Sequence, residues 1–298
     1  MMAVALARPE LAPAKINLTL HIHGRRSDGY HDLESLVTFA DLGDALTLVP
    51  GDDLSLTLSG PTAQVSGPVS DNLVLRAVEA LAARVPGLKT GAFDLSKQLP
   101  VAAGIGGGSA DAAAALRLLA RQNGLTMNDI RVLDAARAVG ADVPVCLESQ
   151  TRVMKGAGER LGPVLRLPSL PAVLVNPGVP VATAAVFAWL GLKPGDRLDR
   201  PDHFVLSSAV DAGTLLALLA GSRNDLQEAA IAVEPVIADV IAAIGAQPGC
   251  GLSRMSGSGA TCFGIFQTMG AAFDAVRALR KLHSNWWIQP VNLGGMDT

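Results

Sequence analysis

The sequence predicts an α+β chain of two domains, and three observations carry the prediction. Short runs of alternating apolar and polar residues follow one another from Pro13 to Leu58 with no crossover helix between them. Helical and strand patterns are intermixed in both halves after that point. A Gly- and Pro-rich stretch between about Gly156 and Pro168 reads as a junction, dividing the chain into 1–160 and 161–298. A length of 298 residues suffices for two ordinary domains, and 49% hydrophobic against 17% charged residues is the balance of a packed globular protein.

The elements follow in order. PAKINLTLHIHG, Pro13 to Gly24, puts Ile16, Leu18, Leu20 and Ile22 on one face and Lys15, Asn17, Thr19, His21 and His23 on the other, a half-buried strand. Three strand-like runs follow at Leu33 to Phe39, Ala45 to Val49 and Leu54 to Leu58. Asp71 is placed to cap a helix through about Val85, whose apolar residues form one stripe. A strand near Ala92 to Lys97 leads into a glycine loop and an alanine-rich helix. Thr126 and Asp129 then read as a capping box for a helix ended by Gly140. The second half offers a strand at Ala172 to Asn176, helices near 182–190, 211–220 and 232–244, a hairpin from Gly251 to Gln267, a helix from Ala271 to His283 and a last strand.

Composition excludes several functions. A net charge of −3 does not favour nucleic acid or an anionic membrane as a partner. Cys146, Cys250 and Cys262 are odd in number and lack zinc-like spacing, which argues for reduced packing thiols in a cytoplasm. The apolar run before Arg8 and Glu10 is too short for a signal-peptide core, and Leu167 to Leu192 is interrupted by Pro168, Pro171, Pro177 and Pro180. His21, His23 and His31 have no acidic or Cys partner at metal-ligand spacing.

LPVAAGIGGGSADAAAAL, Leu99 to Leu116, sets four glycines and a serine before a helix, a form suited to an anion: flexible backbone, unpaired N–H groups and the positive end of a helix dipole. It is not a P-loop, because no Lys follows the glycines, nor a dinucleotide fingerprint, because Ser109 stands where Gly or Ala is required. The other reading is a plain glycine turn into a core helix. Lys15 reads either as a cleft residue or as a solvated strand lysine, and Asp142, in GADVPVCL, as a functional loop residue or a turn aspartate. Tyr30 is the only tyrosine and lies beside His31 in a polar turn, a pair able to stack on a heterocycle. MSGSGATCFGIF, Met255 to Phe266, is a second glycine-rich turn, fit for ligand approach or for a tight hairpin.

In order and spacing, PAKINL from Pro13, PVAAGIGGGSADAA from Pro100 and MSGSGATCF from Met255 resemble the three motifs of the GHMP small-molecule kinases. GRRSDGYHDLESL, GGGS and GADVP narrow the likeness to members acting on a cytidine-diphosphate-linked polyol in non-mevalonate isoprenoid precursor synthesis. The chain departs from the wider family pattern at Ile105, where Leu is usual, and in carrying Asp111 at the helix start.

The resemblance implies a ribosomal protein S5-like N-terminal domain over 1–160 and a ferredoxin-like C-terminal domain over 161–298, with the active site between them. ATP would be held by Pro100, Ala102, Gly104, Gly106, Gly107, Gly108, Ser109 and Ala110, with Asn72 on the adenine side. Mg²⁺ would accompany ATP, with ligands left unassigned. Asp142 would take the proton of the substrate's C2 hydroxyl, and Lys15 would stabilise the reacting oxygens. Tyr30 and His31 would hold the cytosine, Asn17 would touch the substrate near the reacting hydroxyl, and Gly257 and Ser258 would complete its site. Phe187 fits the opposite face of the ring or a place in a helix core. The expected partner is the small-molecule substrate, with no nucleic acid or membrane, in a monomer or weak homodimer. A relative phosphorylating homoserine, mevalonate or a sugar, and a non-catalytic nucleotide-binding protein, stand as alternatives.

Overall fold

The structure, a computed structural model, describes residues 8–200, 203–206 and 210–294; the apolar run ahead of Arg8 lies outside them. The strands are β1 Glu10–Asn17, β2 His21–Arg25, β3 His31–Gly51, β4 Ser55–Ser59, β5 Thr90–Ser96, β6 Arg152–Gly156, β7 Arg160–Leu161, β8 Leu170–Asn176, β9 Cys250–Met255, β10 Cys262–Phe266 and β11 Trp287–Leu293. The helices are α1 Leu73–Ala82, α2 Gly107–Gln122, α3 Ile130–Val139, α4 Val143–Glu148, α5 Thr183–Trp189, α6 Ala212–Ala220, α7 Gln227–Val233, α8 Val236–Gly245 and α9 Met269–Leu282. No helix among the described residues is long and apolar enough to cross a membrane.

Two compact units divide the chain, each discontinuous in sequence. Among the described residues, the first gathers 8–14, Leu42–Val101 and Gly106–Glu148, and the second holds Lys15–Asp41, Ala102–Ile105 and those from Ser149 to Gly294. In the first, β4 pairs parallel with β5, and β5 pairs antiparallel with the later half of β3 from Ala45↔Ser96 to Gly51↔Thr90. Helices α1, α3 and α4 gather around α2, whose Ala110 and Ala112 to Ala115 are fully buried, because a run of alanines presents apolar surface on every side of that stretch. In the second unit, β2 and β6 flank the early half of β3, and a four-stranded antiparallel sheet runs β11-β8-β10-β9. Strand order 4-1-3-2 in a βαββαβ arrangement is the ferredoxin-like plan that the motifs implied. Helices α8 and α9 bury Ile237, Val240, Ile244, Ala272, Val276 and Leu279 in the core of this unit.

Several sequence expectations are corrected. Pro13 to Gly24 is not one half-buried strand but parts of two, and both of its faces are buried. The polar side is inside because Asn17 and Thr19 hydrogen-bond to buried Ser35 and His203, and His21 to Ser222. The separate runs at 33–39 and 45–49 are one long strand. Asn72, not Asp71, caps α1, its side chain accepting from Val74 N at 2.9 Å, and the helix ends at Ala82. Asp129 is the N-cap of α3 itself rather than the third residue of a capping box. The apolar run after Asp142, which by its pattern alone reads equally as strand or helix, is helix α4. The single helix near 232–244 is split at Glu234 and Pro235 into α7 and α8.

Candidate active site

In the second unit, the end of β1 is tied to the glycine loop. Lys15 N donates to Ile105 O at 2.9 Å, and Asn17 N donates to Ser256 Oγ at 3.0 Å, whose hydroxyl in turn reaches Gly104 O at 3.1 Å. Thr261 N donates to Ala103 O at 3.1 Å, so the two glycine-rich stretches lie backbone against backbone. A Cβ at Gly104 (φ +73°) would stand 2.6 Å from Ser256 O, and one at Gly257 (φ +57°) 2.6 Å from Gly104 O. Their lack of a side chain therefore has a packing cause.

The helix start in the first unit is different. Gly106 (φ +66°) is the N-cap of α2 and supplies no side-chain bond to the first turn, whose N–H groups are left for another acceptor. A Cβ at Gly107 would meet only ordinary contacts at 3.6 Å or more, so no neighbour requires a glycine there. A ligand approaching the backbone would. Ser109 follows, half-buried, on the first turn.

Beneath this turn lies an ionic cluster. Lys97 Nζ donates to Asp111 Oδ2 at 2.7 Å and to Asp44 Oδ2, all three groups being almost wholly buried. Asp44 Oδ1 accepts from Gln98 N at 2.5 Å and Leu99 N at 2.9 Å, which pins the chain as it enters the glycine loop. Burial pushes the Asp111 carboxyl up to about 7, with Asp44 adding to the rise and Lys97 opposing it. Burial alone would lower Lys97, but the two carboxylates outweigh it and hold its pKa above the usual lysine value. Asp111 Oδ1 has no hydrogen-bond partner. The Asp111 charge at the helix start is thus buried and shared with a lysine.

Aromatic groups meet in the second unit. The His31 ring lies against Phe187 of α5, ring centroids 4.6 Å apart and tilted by 33°. His31 Nε2 is buried without a partner, and burial followed by the charge of Arg25 lowers its pKa, which keeps the ring neutral near pH 7. Tyr30 beside it is 63% exposed. Thr183, at the start of α5, bonds Ser258 through their hydroxyls at 2.9 Å. Asp142, in the first unit, opens α4, its carbonyl accepting from Cys146 N at 3.2 Å. Cys146 and Cys262 are buried, and burial raises the thiol pKa of Cys250 and Cys262, as befits packing residues.

The model of the GHMP kinase N-terminal domain matches residues 72–150, and that of the GHMP kinase C-terminal domain matches 205–285. A 4-diphosphocytidyl-2-C-methyl-D-erythritol kinase of Methylorubrum extorquens (strain PA1) is 61% identical over 283 residues, 95% of this chain and 97% of that one. The chain is a GHMP kinase. Another kinase of the same description, from Rhodopseudomonas palustris (strain BisB5), is 56% identical over 95% of this chain and 97% of the relative. A crystal structure of 4-(cytidine 5'-diphospho)-2C-methyl-D-erythritol kinase superposes with a TM-score of 0.71 at 34% identity, covering 97% of this chain and all of that one. A homoserine kinase from Cytophaga hutchinsonii, 20% identical with a TM-score of 0.63 over 98% and 97% of the two chains, shares the fold.

As a GHMP kinase the protein is an ATP-dependent phosphotransferase. Within the second unit the structure brings together Lys15, Asn17, Ala102, Gly104 and Gly257 around the two loops, and His31 with Phe187 at the rings. Within the first it places Gly106, Gly107, Gly108, Ser109 and Ala110 on one turn, and gives Asn72 a capping bond. Pro100 stands one residue beyond the amides pinned by Asp44. The sequence reading missed Asp44, Lys97, Ser35 and Ser256. A signal existed for Asp111, a charge set in an alanine run, but nothing local indicated that Lys97 was its partner.

Proposed function

We propose that this GHMP kinase transfers the γ-phosphoryl group of ATP to the C2 hydroxyl of 4-diphosphocytidyl-2-C-methyl-D-erythritol, a step of non-mevalonate isoprenoid precursor synthesis. The observation that carries the reading is the 61% identity along nearly the whole of both chains. The neutral His31, its Nε2 unpartnered and its ring against Phe187, suits a heterocycle that both stacks and accepts or donates a hydrogen bond. Homoserine and mevalonate have no such ring.

In this reading the first turn of α2, from Gly106 to Ala110, and the preceding Pro100, Ala102 and Gly104 hold the phosphates, and Asn72 lies on the adenine side. The substrate oxygen forms its bond to phosphorus as the bond to the ADP oxygen breaks. Asp142 receives the hydroxyl proton, late in a loose transition state, and Lys15 offsets charge on the reacting oxygens. Asn17 meets the reacting hydroxyl, Tyr30, His31 and Phe187 hold the base, and Gly257 and Ser258 line the substrate's site. The reading assigns residues 1–160 to ATP and catalysis and 161–298 to completing the substrate site.

The donor set fits a Mg²⁺ that arrives with the nucleotide. No group of three or more His, Cys, Asp or Glu side chains among the described residues forms a metal cage, and Mg²⁺ bound through phosphates and water needs none. Ser109, half-buried on the first turn of α2, would hold it. A Mg²⁺ held there would supply positive charge to the phosphoryl oxygens. The same reading describes a cytoplasmic monomer or weak homodimer without nucleic-acid partners, which sedimentation of the purified chain would check.

The test is ADP release with Mg-ATP and, in turn, 4-diphosphocytidyl-2-C-methyl-D-erythritol, homoserine and mevalonate, in wild type and Asp142→Asn. Turnover of the cytidylated alcohol alone, lost in the variant, is expected. Turnover of another alcohol sinks the substrate, and ATP binding with no turnover of any sinks the reaction.

A further inference from the structure

Asn17 is 5% exposed, and every hydrogen bond around it has a forced direction. Ser35 Oγ lies 2.5 Å from Thr19 O and 2.8 Å from Asn17 Nδ2, with Ser35 fully buried. A carbonyl oxygen only accepts, and a serine hydroxyl has one proton, so that proton is committed to Thr19 O. Towards Asn17 the serine then shows only a lone pair, which an amide NH₂ satisfies and an amide oxygen does not. A reversed amide would set two acceptors against each other in a buried place. Thr19 cannot yield either. Its hydroxyl accepts from Leu36 N at 3.0 Å and stands 2.6 Å from His203 Nε2. His203 Nδ1 lies 2.7 Å from Phe204 O, which fixes the proton on Nδ1 and makes Nε2 the acceptor of the Thr19 hydroxyl. At the other end, the Asn17 backbone N–H is held by Ser256. The remaining atom, Asn17 Oδ1, lies 3.4 Å from where a Cβ on Gly257 would stand.

We infer that Ser35 is a positioning residue that locks the Asn17 amide with Oδ1 as its free end, so that the site demands a hydrogen-bond donor from the substrate. The inference deepens the proposed function and rests on it for the identity of that donor, the reacting hydroxyl. The locked carbonyl accepts the substrate hydroxyl's hydrogen bond in the ground state, before Asp142 takes the proton, and it repels a group at the same carbon that carries lone pairs and no proton. Ser35 thereby acts on specificity without touching substrate.

The experiment compares wild type, Ser35→Ala and Ser35→Thr using the cytidylated substrate and its analogue with fluorine in place of the C2 hydroxyl, the analogue measured as a competitive inhibitor. Wild type prefers the hydroxyl by roughly ten-thousandfold, as sites built to bond a hydroxyl do. Ser35→Ala frees the amide to turn its NH₂ to the fluorine. The preference is expected to fall by roughly tenfold or more, with the fluoro analogue binding tighter than it does to wild type and the KM for ATP unchanged. Ser35→Thr, which keeps the hydroxyl, retains the wild-type ratio. General damage to the fold would weaken both ligands and tighten neither. A ratio in Ser35→Ala equal to that of wild type overturns the inference. A second measurement needs no substrate: in the ligand-free wild type, nuclear Overhauser contacts from the Asn17 side-chain amide protons to Ser35 are expected, and their absence also overturns it. If those contacts are present while wild type turns over no cytidylated alcohol, the substrate reading has failed and the locked amide stands.

Discussion

Replacing Lys97 with Met tests the physics beneath the glycine loop. Met matches the length of the stem and leaves no large cavity, so the change removes a charge from between Asp44 and Asp111 and little else. Stripping one partner from a buried ion pair costs about 3–5 kcal/mol, because the remaining charge has neither water nor a counter-ion. The lower end applies here. Asp111 already titrates at about 7 and takes up a proton when its lysine is lost, whereas Asp44 keeps three protein contacts in the wild type and loses only one. A loss of about 3 kcal/mol lowers Tm by roughly 5 °C in a chain of this size.

The pH dependence has a definite sign. A carboxyl whose folded pKa is raised contributes stability in full below its unfolded value of 3.8 and loses it as pH rises through about 7. Without Lys97 that pKa rises further, so the deficit of the variant is largest above pH 7 and shrinks towards pH 5.5. Thermal and urea denaturation at pH 5.5 and 8 would read it, and Asp111→Asn added to Lys97→Met should recover part of the loss. Because Asp44 pins the amides of Gln98 and Leu99, KM for ATP should also rise, by roughly tenfold (about 1.4 kcal/mol). A Lys97→Met protein as stable as wild type, or equally weakened at both pH values, would refute the reasoning.

Other substitutions probe separate parts of the site. Gly104→Ala forces a Cβ to within 2.6 Å of Ser256 O at a positive φ, and should destabilise by about 2–4 kcal/mol in urea melts, whereas Gly107→Ala has room and should fold normally but bind ATP at least about tenfold more weakly in titration calorimetry. Phe187→Ala removes the ring against His31 and should raise KM for the cytidylated substrate about tenfold or more, leaving KM for ATP unchanged. His21 is buried beside His203, and burial lowers its pKa from 6.5 to about 4. A histidine held neutral in this way supports the fold above pH 6.5 and ceases to as pH falls towards 4, so His21→Gln should flatten the acid limb of stability against pH relative to wild type.

The sequence by itself determined the elements with strong local causes. The apolar stripe of α1, the alanine run of α2 and the glycine-rich turn between β9 and β10 are each set by side-chain chemistry within a few residues, and they emerged close to where the pattern put them. The glycine loop running into the start of α2 was legible too, because a glycine turn and a helix start are both local. Tertiary structure decided the rest. Whether the polar face of β1 met water or protein depended on Ser35, His203 and Ser256, which lie 18 to 239 residues from their partners. Gly104 and Gly257 are required by each other across 153 positions, and the buried Asp111 is tolerable as a charge only because Lys97 arrives beside it. Hydrophobic periodicity reports which face of an element differs from the other. It carries no information on which distant polar group will satisfy a buried donor, and in this protein those long-range pairings set the orientation of the residues assigned to chemistry.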